Sequence, residues 1–170
     1  YGIYVNSANG IQAISTANIT LHGTGSDSSG GANGGLAIVS GSVTASGGAI
    51  SITGTGGNGS GNYNYGAILH AGTVSNSGSG TITFDVTGRG ITNSGGDYGL
   101  YVYNSSSIST VSGNLNITAT GGGAGTGSAI ASHGLKVFFG TSTITTSTGT
   151  IHIIGTAGNV DGSTAGNVGV

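Results

Sequence analysis

The chain has 170 residues, 39 of them Gly, with two basic residues (Arg89 and Lys136), four Asp and a formal charge of −2. This charge excludes a basic footprint for nucleic acid or an anionic membrane, and the absence of Cys excludes disulfides, thiolate metal sites and cysteine catalysis. No run of 18 apolar residues is available to span a bilayer as a helix, and few of the acids and bases that most enzymes need are present.

The first predicted strand is Gly2-Ile3-Tyr4-Val5. A second is expected around Ile11 or Ile14, either of which fits, and the third is Ile19-Thr20-Leu21-His22-Gly23-Thr24. A Gly/Ser/Asn loop follows, and the triplet then recurs. The next unit reads Gly35-Leu36-Ala37-Ile38, Ser42-Val43-Thr44 and Ile50 to Thr55, and the third reads Gly66-Ala67-Ile68-Leu69, Thr73-Val74-Ser75 and Ile82 to Thr87. The fourth has Gly99-Leu100-Tyr101-Val102, Ser107-Ile108-Ser109 and Leu115 to Thr120. The fifth has Gly134-Leu135-Lys136-Val137, Thr143-Ile144-Thr145 and Ile151 to Thr156. The marker glycines lie 31 to 35 residues apart, and loop length absorbs most of the variation.

Alternation within each segment points one face inward and one outward. A unit of three short strands cannot cover its own apolar stripe, so it must stack on like units. The sequence therefore predicts an all-β, parallel β-helix (β-solenoid) with three strands per coil and about five coils. The units are 1–33, 34–64, 65–97, 98–132 and 133–167, with the start of a further coil at 168–170. Asn167-Val168-Gly169-Val170 reads as the next first strand, and neither end shows a cap, so a segment of a longer array is expected. Stacking also accounts for the scarcity of charge, because a repeated charge would form a like-charge ladder. The expected inward columns are Ile19, Ile50, Ile82, Leu115, Ile151 and Leu21, Ile52, Phe84, Ile117, Ile153. Gly48, Gly80, Gly113 and Gly149 precede the third strands, where corners are expected to need positive φ.

The run Gly48-Ala49-Ile50-Ser51-Ile52-Thr53-Gly54-Thr55-Gly56-Gly57, followed by Tyr65-Gly66-Ala67-Ile68-Leu69, resembles the β-strand repeats of giant bacterial surface proteins. These are the filamentous-haemagglutinin-like adhesins and autotransporter passengers. The resemblance covers all five units. It implies a right-handed, extracellular β-helix shaft at the bacterial cell surface, serving adhesion, matrix or filament formation.

Several residues are candidates for function. Tyr1, Tyr65 and Tyr98 precede marker glycines, with His133 in the same column; Tyr4 and Tyr101 take the outward slot of the first strand; Tyr103 and Phe138 follow two residues later. Together they predict an outward aromatic stripe suited to lateral packing, to sugar stacking or to cover by a folded-back loop. Thr24, Thr55, Thr87, Thr120 and Thr156 predict an outward hydroxyl ladder. The hydroxyl pairs of the second strands could present an ice-binding face, although the Ser at Ser42, Ser75, Ser107 and Ser109 spoil a regular Thr lattice.

Asp85 sits on a third strand, whereas Asp27, Asp97 and Asp161 are expected as solvated loop residues, too dispersed for catalysis or calcium. His22, His70, His133 and His152 lack metal spacing and are expected at the surface. Asn18, Asn58, Asn104 and Asn116 match glycosylation sequons, as chance predicts in so Asn- and Thr-rich a chain. The sequence reading is thus a non-enzymatic shaft with no cofactor that associates with itself end-to-end or laterally, with a glycan- or ice-binding module as the alternative. Nucleic-acid binding and membrane insertion are not expected.

Overall fold

The computed structural model describes residues 1–91, 95–123, 131–158, 166 and 168–170. Asp161 and Asn167 lie outside them. All regular elements among the described residues are strands, and every pairing is parallel. The first sheet contains β1 (Ile3–Val5), β4 (Leu36–Val39), β7 (Ala67–His70), β10 (Leu100–Tyr103) and β13 (Leu135–Phe138). The second contains β2 (Ile11–Ala13), β5 (Ser42–Ala45), β8 (Thr73–Asn76), β11 (Ser107–Thr110) and β14 (Thr143–Thr146). The third contains β3 (Ile19–Thr24), β6 (Ile50–Thr55), β9 (Ile82–Thr87), β12 (Leu115–Thr120) and β15 (Ile151–Thr156). The chain visits the sheets in rotation, which makes a β-solenoid with three strands per coil.

The register follows the sequence columns: Ile19, Ile50, Ile82, Leu115 and Ile151 pair in succession, as do Leu21, Ile52, Phe84, Ile117 and Ile153. In the second sheet Ile11 pairs with Val43, which decides between Ile11 and Ile14; Ile14 is exposed. Phe84 is the largest fully buried side chain, flanked in its column by Ile52 and Ile117. Two residues further along the same strand, Val86 pairs with Gly54. Ile151 belongs to the inward column yet is 43% exposed, because β15 is the edge strand of its sheet.

The glycine corners differ from the expectation. Gly48, Gly80, Gly113 and Gly149 all lack positive φ. Instead, a Cβ on each would collide with a backbone carbonyl of the preceding coil, those of Ala17, Gly48, Gly80 and Gly113 respectively. These corners are Gly because stacked backbones touch there. Among the corners, positive φ occurs instead between first and second strands, at Ser40 (φ 50°), Ala71 (φ 50°), Asn104 (φ 57°) and Phe139 (φ 63°), with Ser105 (φ 61°) and Gly140 (φ 68°) following the last two, and in the first unit at Ser15 (φ 57°) between second and third strands. None of the first four is Gly. The marker glycines also serve close approach: a Cβ on Gly2, Gly35, Gly66, Gly99 or Gly134 would come within 2.6 Å of the backbone N of Thr24, Thr55, Thr87, Thr120 or Thr156. Each coil is closed at this contact, and its long loop leaves and returns through it.

Asp97 also departs from its expected solvated place. It is fully buried, in a column with the buried Asn33, Asn64 and Ser132. Asn33 donates from its backbone N and Nδ2 to Asn64 Oδ1 (3.3 and 3.1 Å). Asn64 donates in the same way to Asp97 Oδ1 (2.7 and 3.1 Å), and the Asp97 N–H donates to Ser132 Oγ (3.3 Å). Each side-chain amide also ties its own loop, Asn33 to the carbonyls of Ser28 and Gly30, and Asn64 to those of Gly59 and Gly61. The carbonyls of all four column residues accept N–H bonds from Gly57, Arg89, Gly122 and Gly158. Buried polar atoms in the loops thereby find partners in neighbouring coils, as burial requires. Asp27, by contrast, is exposed, and its carboxylate caps the Asn58 N–H of the next loop at 2.7 Å.

Candidate functional site: the aromatic face of the first sheet

Outward positions of the first sheet stack in register with one residue per coil. Tyr4, Ala37, Ile68, Tyr101 and Lys136 form one column, and Val39, His70, Tyr103 and Phe138 another. Just before the sheet, Tyr65 stacks on Tyr98 (centroids 5.9 Å) and Tyr98 on His133 (5.4 Å, planes 10° apart). In the second unit this column holds Gly34, and the space is taken by the Tyr1 ring; a Cβ there would lie 2.6 Å from Tyr1 Cε1. Tyr1 in turn stacks on Tyr4 at 5.7 Å. The columns are joined sideways by Tyr98–Tyr101 (4.9 Å, edge-to-face) and Tyr101–Tyr103 (5.1 Å).

The stripe is less exposed than its sequence suggests. Tyr65 and Tyr98 are only 7% and 5% accessible. They are covered by neighbouring rings, including Tyr63 on Tyr65 (6.0 Å), and by Lys136. The Lys136 ammonium lies 5.0 Å from the Tyr98 ring centre, 5.7 Å from that of Tyr101 and 5.2 Å from that of Phe138, and it donates to Tyr98 Oη at 3.3 Å. A cation over several aromatic faces is an attractive arrangement. The outer surface is formed by Tyr1, Tyr4, Tyr63, Phe138 and Phe139, all exposed, with Tyr101 and Tyr103 half-buried between them.

Burial sets the ionisation of this face. The Tyr65 hydroxyl is pushed far above its usual range, first by desolvation and then by the phenols of Tyr1, Tyr98, Tyr101 and Tyr63. Tyr101 is pushed up to about 12 by desolvation, then by Tyr98, Tyr103 and Tyr63, and Tyr1 is raised by desolvation and Tyr4. His133 is held below the usual imidazole value by burial first and the Lys136 charge second, and its Nδ1 takes part in a 3.1 Å bond as acceptor from the Val168 N–H. The face is therefore built to stay as neutral phenol and imidazole around one ammonium.

Two candidates missing from the sequence reading of the stripe are Tyr63 and Phe139. Both are bulky residues at positive φ (71° and 63°), a conformation that costs such residues energy. Phe139 stacks on Tyr103 at 5.7 Å. Its signal was its position directly after a first strand, where the other coils carry Ser40, Ala71 and Asn104. His70, expected as an isolated surface residue, packs against Tyr103 at 5.2 Å. His22 and His152 are exposed on the third sheet, on its first and last strands.

The other two faces carry hydroxyls. Thr24, Thr55, Thr87, Thr120 and Thr156 pair in unbroken register; the first and last are exposed and the middle three half-buried. Asp85 is exposed on the same sheet between Thr53 and Thr118. On the second sheet Ser42, Thr73, Ser107 and Thr143 form one column and Thr44, Ser75, Ser109 and Thr145 a second. Ser42 is buried and donates to the Ala8 carbonyl, so that column is not a uniform hydroxyl surface. Set against known proteins, the chain matches no family model, no curated protein and no solved structure.

Proposed function

We propose that this chain is a structural shaft segment of an extracellular bacterial surface fibre or giant adhesin, with no catalytic role. The observation that carries this reading is the unbroken axial stacking: three parallel five-stranded sheets around one continuous apolar core, with loops also hydrogen-bonded from coil to coil. Such a body is stiff along its whole length and resists proteolysis, because few backbone groups are free to enter a protease cleft. The exposed outer rings Tyr4, Phe138 and Phe139 give it a lateral contact with like shafts, and the edge strands give it an axial one.

Electron microscopy of the expressed chain tests the reading. Filaments with an axial repeat near ~4.8 Å support it, whereas monodisperse short particles that stay separate at high concentration sink it. Glycan recognition is the second reading, favoured by the exposed rings of Tyr4 and Tyr63. The faces of Tyr65 and Tyr98 are occupied by other rings, so a sugar would have to stack on the outer ones. A glycan array with Tyr4→Ala and Tyr63→Ala variants separates this reading from the first.

A further inference from the structure

The chain has no Cys, Met or Trp, so the usual protein sinks for oxidising equivalents are missing apart from Tyr. It has seven Tyr, and all of them lie on one face in ring contact with another Tyr. Five of them form one connected set, with consecutive centroid separations of 6.0 Å (Tyr63–Tyr65), 5.9 Å (Tyr65–Tyr98), 4.9 Å (Tyr98–Tyr101) and 5.1 Å (Tyr101–Tyr103). The set begins at the exposed Tyr63, passes through the buried Tyr65 and Tyr98, and returns towards solvent at the half-buried Tyr101 and Tyr103.

We infer that this five-tyrosine cluster is a one-electron oxidation site that shares the electron hole among its rings and is converted into intrachain dityrosine. Rings in van der Waals contact exchange an electron far faster than a phenoxyl radical decays, so the ring that first meets the oxidant need not be the ring that reacts. The oxidant class is a peroxidase compound or an equivalent one-electron acceptor fed by hydrogen peroxide. Each oxidation removes one electron and one phenolic proton in total. The hole moves inward together with a proton, each ring that gives up its electron passing its phenolic proton to the phenoxyl oxygen it reduces, so that the net proton leaves to water from an exposed hydroxyl. Two radicals on touching rings form a carbon–carbon bond between ortho positions, and both rings regain aromaticity as the ortho hydrogens move to the oxygens. The chain loses two hydrogen atoms in total, and one hydrogen peroxide becomes two waters. A Tyr65–Tyr98 bond would join adjacent coils covalently, a staple in a chain without cysteine. This inference does not depend on the shaft reading.

The test is treatment of the folded chain with a haem peroxidase and limiting hydrogen peroxide. Peptide mass mapping, dityrosine fluorescence and the β-sheet circular dichroism signal are followed together. The expected result is loss of two hydrogens in cross-linked peptides that include Tyr65 or Tyr98, before the β-sheet signal falls. Tyr63→Phe, which keeps the ring and its packing, should leave the buried cross-link detectable, because Tyr101 and Tyr103 still admit the hole. Tyr98→Phe should remove the Tyr65–Tyr98 and Tyr98–Tyr101 cross-links and shift the remaining dityrosine to Tyr65–Tyr101, whose ring centroids are also 5.9 Å apart. Modification confined to Tyr1, Tyr4 and Tyr63, with Tyr65 and Tyr98 intact, would overturn the inference. So would the absence of dityrosine, or its appearance only after the β-sheet signal is lost.

Discussion

At the scale of single residues, the backbone geometry assigns opposite signs to two kinds of glycine substitution. Gly48 sits against the Ala17 carbonyl with no room for a Cβ, so Gly48→Ala must push two coils apart. Overpacking of this kind costs about 1–3 kcal/mol, and urea denaturation should show the midpoint falling. Ala71 is exposed and held at φ 50°, where a Cβ is the source of strain. Ala71→Gly should raise stability by up to about 1 kcal/mol, read by the same titration. Protonation on the aromatic face gives a second pair of signs. His133 resists protonation in the folded chain, so its contribution is present at neutral pH and is lost as pH falls below about 6.5 through its lowered folded value. Tyr101 resists deprotonation, so its contribution is intact below the usual phenol pKa of about 10 and is lost as pH rises towards about 12. Thermal melts across pH should therefore decline on both sides, and His133→Phe should flatten the acid limb.

At the scale of elements, the strands were legible because two signals coincide: alternation within a segment and its recurrence every 31 to 35 residues. Neither signal reaches the corners or loops. The left-handed corner after the first strand is occupied by Ser40, Ala71, Asn104 and Phe139, which share no side-chain chemistry, so no column stands out. The Asn33–Asn64–Asp97–Ser132 ladder looks in sequence like ordinary loop composition. It becomes visible only when counted backwards from the marker glycine, since each member lies two residues before one. The aromatic columns were readable, but not the burial of Tyr65 and Tyr98, which depends on Tyr63 in a left-handed loop position and on where Lys136 lays its chain. Within the ladder Asn64 bonds to the members on both sides, as acceptor from Asn33 and as donor to Asp97, and also donates to Gly59 and Gly61 of its own loop. Asn64→Ala leaves several buried groups unsatisfied and should cost about 3 kcal/mol. Hydrogen exchange should localise the loosening to the loops over residues 25–34 and 56–65. In the core, Phe84→Ala should cost about 3–5 kcal/mol, measurable as a lowered unfolding midpoint without loss of the parallel-sheet signal.

At the scale of the molecule, cohesion comes from apolar burial and backbone ladders, while formal charge amounts to two cations and four carboxylates. Added salt has little to screen. The melting temperature should accordingly change little between dilute and concentrated sodium chloride, and a steep dependence would point to electrostatic contacts that the stacked columns do not supply. The direction of the ladders has a mechanical consequence. Bonds between coils run along the axis, so a pull on the two ends opens them one layer at a time rather than shearing all of them together. Each layer released would pay out the 31–35 residues between successive first strands, about 110 Å of extended chain. Under tension the rod would behave as a spool that lengthens in equal steps, and force spectroscopy should record a sawtooth with that spacing.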